Sequence, residues 1–93
     1  QESFTYEIDT VNDQIESYEK EIDHYNNRID TLKDQISERE QEKDLMTEAE
    51  KTEVEIAISS QESEIDALQE EINEIEQSIQ EREEKLEILK DNL

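Results

Sequence analysis

The 93-residue chain contains no glycine, no proline and no cysteine. Without glycine or proline nothing forces a turn, and an EF-hand calcium loop, which needs a central glycine, is not expected. The lack of cysteine excludes disulfides, thiolate zinc sites and a cysteine nucleophile. It leaves the compartment open between the cytosol and export from bacteria that use few disulfides. Aromatic residues make up 4% of the chain and apolar residues 30%, too little to fill a globular core. No run approaches the length of a membrane span, and Gln1-Glu2-Ser3 does not open a signal peptide, so direct membrane insertion is not expected. The only methionine is Met46, so the sequence is expected to be a fragment of something longer.

Basic residues are also scarce. Nine stand against 30 acids, a net charge of -21 that repels phosphate backbones and anionic lipid and argues against nucleic-acid binding. A basic partner or loosely held cations are favoured instead. With 42% charged residues the chain would read as disordered if its apolar residues were scattered. They are periodic: Ile8, Val11, Ile15, Tyr18, Ile22, Tyr25, Ile29, Leu32 and Ile36 alternate in steps of three and four. The same spacing returns at Ile65, Leu68, Ile72, Ile75, Ile79, Leu86, Leu89 and Leu93. Both stripes are coiled-coil seams with isoleucine prominent at heptad position a, interrupted by Arg39 and Lys43 in the first and by Gln61 and Arg82 in the second.

Ile36 and Ile65 are separated by one residue more than four heptads, so the second seam does not simply continue the first on one regular helix. The expected fold is all-α, a long antiparallel two-helix coiled-coil hairpin. Its alternative is a continuous helix in a coiled-coil oligomer, with a locally right-handed stretch from Met46 to Leu68 that averages about 3.67 residues per turn. An antiparallel register that sets a layers opposite d layers pairs Val11 with Leu93, Ile15 with Leu89, Ile36 with Leu68, Lys43 with Gln61 and Met46 with Ile58. A slip of one heptad would place Ile36 against Gln61 and Arg39 against Ile58. The favoured register implies one module over residues 1–93, with helix one over about 4–47, a turn over about 48–57 centred near Thr52, and helix two over about 58–93.

Thr52 with Glu55, or Ser59 with Glu62, could form a capping box at the second helix, although the same pattern occurs at Ser37 and Thr47. Flanking charges favour the hairpin modestly. A parallel homodimer would oppose Arg28 to Lys33, Glu71 to Glu76 and Lys85 to Lys90, whereas the hairpin brings Glu21 near Lys85, with Glu19 near Glu83 and Glu40 near Glu62 as its unfavourable pairs.

No carboxylate pair stands out as an acid and base, and no catalytic, cofactor or metal-binding residue is assigned; the chain is not expected to be an enzyme. His24 falls at an outward position c. Tyr18 and Tyr25 at d read as core, with hydroxyls reaching the rim, and Arg39 and Arg82 at d as residues that fix or tolerate the register. The candidate partner contacts are Phe4, Tyr6 and Ile8, which would lie unpaired beyond the end of helix two, and Val54 and Ile56 near the tip.

The run Ile72-Asn73-Glu74-Ile75-Glu76-Gln77-Ser78-Ile79-Gln80-Glu81-Arg82-Glu83-Glu84-Lys85-Leu86 resembles the N-terminal coiled coils of secreted peptidoglycan hydrolases of Gram-positive bacteria, the CwlO, PcsB and SagA group. Those paired helices often close on an I-x-x-R-x-x-x-L-like pattern, matched here by Ile79, Arg82 and Leu86. The chain departs from them in reading Glu87-Ile88-Leu89-Lys90-Asp91-Asn92-Leu93 where a basic stretch usually follows. The resemblance implies a secreted, cell-wall regulatory or docking arm, with an FtsX-like membrane protein as partner. The alternative is a structural spacer or self-associating rod of a surface, phage or cytoskeletal-type protein.

Overall fold

The computed structural model describes residues 2–93, with side chains from Phe4 onward. The fold is an all-α, antiparallel two-helix coiled-coil hairpin. Helix α1 spans Glu2–Glu42, a 3-10 turn η1 spans Lys43–Leu45, and helix α2 spans Glu48–Asp91. The helices form two compact units, one of residues up to His24 with Glu71–Leu93, the other of Tyr25–Glu70.

The reversal needs no glycine. Met46 is extended at φ -102° and ψ 154°, and its amide donates to Lys43 O at 3.1 Å. No described residue has a positive φ. Thr47 caps α2: the Glu50 amide donates to its Oγ1 at 3.3 Å, and the hydroxyl donates to Glu50 Oε1 at 3.1 Å. Glu48 and Glu50 place negative charge in the first turn of α2, where the helix dipole favours it, and Arg39 lies in the last turn of α1.

The turn therefore lies upstream of the expected 48–57 segment, and that stretch is helical. Thr52 is an interior residue whose hydroxyl donates to Glu48 O at 3.1 Å, and Ser59 is an exposed helical position. The reason is helix propensity: a turn over 48–57 would unwind Glu48-Ala49-Glu50-Lys51, all strong helix formers, in a chain without glycine or proline. Reversing at Lys43–Thr47 instead breaks the seam where it is already weak.

Moving the turn moves the register by one heptad. In the first unit Val11 clusters with Leu86 and Leu89, with Ile8 and Ile15 packed against them, so Val11 is not paired with Leu93 as expected. Arg82 meets Gln14 and Tyr18, so Ile15 faces Arg82 rather than Leu89. In the second unit Gln61 bonds to Gln35, and Lys43 pairs with Glu55. Ile36 therefore faces Gln61 rather than Leu68, and Ile58 stands opposite Arg39 rather than Met46. The buried described residues, among them Leu32 at 1% and Val11 at 2% exposure, all lie on the two seams. The α2 seam runs on upstream through Gln61, Ile58, Val54 and Lys51, each half-buried or buried.

Candidate functional site

Burial on the seams leaves the apolar residues off them as candidate contacts. In the unit containing the turn, Leu45 is 93% exposed and Ile56 66% exposed. Leu45 ends the 3-10 turn, which carries it off the seam, and Ile56 lies at the outward f position of α2. Val54 is half-buried on the seam, so of the two tip residues expected to meet a partner only Ile56 is free to do so.

In the other unit Tyr6 is 74% exposed and Phe4 36% exposed. Ile8 packs on the Val11–Leu86–Leu89 cluster and is not an unpaired contact, which corrects its expected place beyond the end of helix two. The one-heptad register change accounts for this, because it brings Leu89 alongside Ile8. Ile88 on α2 and Leu93 just past its end add exposed apolar surface in the same unit.

Polar residues on and beside the seams hold the helices in register. Arg82 is half-buried; its Nε donates to Gln14 Oε1 at 3.2 Å and its Nη1 to Ser78 O at 3.2 Å, while the guanidinium lies 5.1 Å from the centroid of the Tyr18 ring. Arg28 makes a two-pronged contact with Glu64, Nε to Oε1 at 3.2 Å and Nη2 to Oε2 at 3.4 Å. Both side chains are more than two-fifths exposed, so the pair directs register more than it adds stability, about 0–1 kcal/mol. Gln61 Nε2 donates to Gln35 Oε1 at 2.8 Å, and Gln61 Oε1 is buried without a partner.

Lys43 closes the tip with Glu55 at 3.4 Å and Glu40 at 3.6 Å. Desolvation between the helices pulls its ammonium pKa down, and the two carboxylates more than offset this, holding it above the ordinary lysine value.

His24 is exposed. Among the described residues there is no pocket, and no group of three or more His, Cys, Asp or Glu side chains close enough to hold a metal ion. No helix is long and apolar enough to cross a membrane. What the arrangement offers is a self-contained seam with exposed apolar residues amid acidic surface. Comparison with known protein families, curated proteins and solved structures finds no match to this chain.

Proposed function

We propose that the chain is a non-enzymatic coiled-coil module that docks a protein partner, and that it serves as the regulatory or docking arm of a secreted cell-wall hydrolase. One observation carries the docking reading: the seams are consumed within the chain, while Leu45, Tyr6 and Ile56 remain largely exposed. With 30 acids on so small a chain, the complementary surface is basic around an apolar contact. The cell-wall assignment rests on the Ile79, Arg82, Leu86 pattern, and its partner would be an FtsX-like membrane protein.

The test is titration calorimetry against the extracellular domain of such a protein. The expected result is saturable binding that Leu45→Ser with Ile56→Ser, or Phe4→Ser with Tyr6→Ser, weakens at least about tenfold with helicity unchanged, since each removes apolar contact area. Absence of binding removes the cell-wall assignment, and turnover by the isolated chain would contradict a purely docking role. A second reading, a spacer or self-associating rod, is favoured by exposed Ile88 and Leu93. Light scattering separates the two, because a rod of that kind associates through those residues and a docking arm remains monomeric.

A further inference from the structure

Three contacts that cross between the helices share a property: displaced by one heptad, their partners recur in the sequence, whereas Gln35, bonded to Gln61, would meet Leu68. Arg28 holds Glu64, and Glu71 stands seven residues on. Lys43 holds Glu55, and Glu62 stands seven residues on. Arg82 holds Gln14 and lies over Tyr18; seven residues further along α1 are Glu21, a stronger acceptor, and Tyr25, another ring. The layers repeat in the same way. The present register places Ile36 against Gln61, whose Oε1 is buried without a partner, while the displaced register gives Ile36 a leucine, Leu68, and Met46 an isoleucine, Ile58. Against these gains, displacement strips Ile8 of the facing end of α2 and unwinds the first turns of α2, where Thr52 or Ser59 becomes the cap.

We propose that the hairpin is a two-register device, in which α1 and α2 slide past each other by one heptad between the resident register and a minor one. A seam restores its layers only after a whole heptad, so the two states are discrete rather than a continuum. Each helix is continuous, and the same slide that remodels the tip at Lys43–Ala57 uncovers Ile8. A partner that binds one register better at either place shifts the population of both. This holds whatever the module docks, and goes beyond the docking reading.

The absence of native cysteine makes the test direct. The double variant Ile36→Cys with Leu68→Cys reports the minor register, and Ile36→Cys with Ile75→Cys, two heptads from the resident pairing, reports non-specific encounter. In a glutathione redox buffer at low protein concentration, the first pair is expected to form its intramolecular disulfide at least about tenfold more favourably than the second. Adding Gln61→Leu, which stabilises only the resident register, is expected to lower disulfide formation by the first pair about tenfold, the scale of relieving a buried unpaired polar atom. Equal disulfide formation by the two pairs, or indifference of the first pair to Gln61→Leu, would overturn the proposal.

Hydrogen exchange on the unmodified chain gives a second reading. Sliding opens the hydrogen-bonded amides of Lys51–Ala57 together and predicts one common protection factor for them. Protection rising residue by residue from Lys51, as fraying produces, counts against the slide.

Discussion

Replacing Gln61 with leucine is expected to stabilise the protein, although the substitution removes a 2.8 Å hydrogen bond to Gln35. Three effects set the magnitude. Removing a buried oxygen without a partner relieves about 1–3 kcal/mol. Completing an apolar layer with Ile36 adds about 1 kcal/mol from buried methyl groups. Losing the Gln35 bond costs about 0.5–1.5 kcal/mol. The balance is a gain of roughly 2 kcal/mol, the midpoint of about 0.5–3.5 kcal/mol. For a chain of this size a gain of about 2 kcal/mol raises the melting temperature by about 8–16 °C, at about 4–8 °C per kcal/mol. Thermal unfolding followed by circular dichroism at 222 nm measures it, with light scattering to verify that the oligomeric state has not changed. In the register that pairs Ile36 with Leu68, Gln61 instead faces Lys43, and a leucine beside that ammonium gives no such gain. An unchanged or lowered melting temperature would refute both the layer assignment and the argument from the buried oxygen.

Other perturbations separate the turn, the core and the charge. Thr47→Ala is expected to cost about 1 kcal/mol in chemical denaturation by removing the cap, while Thr52→Ala, at an interior helical position, stays within about 0.5 kcal/mol; the reverse order would return the turn to Thr52. Leu32→Ala, at the most buried side chain, is expected to cost about 2–4 kcal/mol by the same measurement, against less than about 0.5 kcal/mol for Ile56→Ala on the exposed face. Raising salt from low to physiological ionic strength is expected to raise the melting temperature, because screening a net charge of -21 relieves more repulsion than the exposed ion pairs contribute. Lys43 has a raised folded-state pKa, so its ion pairs stabilise the tip below the ordinary lysine value and that contribution is lost as pH rises through the folded value. Lys43→Gln is accordingly expected to flatten the alkaline limb of a melting-temperature profile.

The hairpin, its antiparallel sense and the a and d seams were legible in the sequence because Ile8 through Ile36 and Ile65 through Leu93 keep heptad spacing, with one residue too many between them. The register was not, because heptad spacing fixes phase and leaves displacement by whole heptads open. Pairing Ile36 with Leu68 satisfies the local apolar pattern, and its disadvantage lies elsewhere, in the unwinding of Glu48-Ala49-Glu50-Lys51 and the loss of Ile8 from the seam. Thr47 carried the correct capping signal, but in so acidic a chain Ser37, Thr52 and Ser59 carry it too. Of the candidate contacts, Phe4, Tyr6 and Ile56 are exposed. Ile8 and Val54 follow the register into the seam, and the turn leaves Leu45 exposed.

Methyl nuclear Overhauser spectroscopy on the unmodified chain tests the register most directly. The structure predicts a strong cross-peak between Val11 and Leu86, with Leu32 close to Ile65 in the turn-containing unit. Dominant cross-peaks from Val11 to Leu93 and from Ile36 to Leu68 would contradict it.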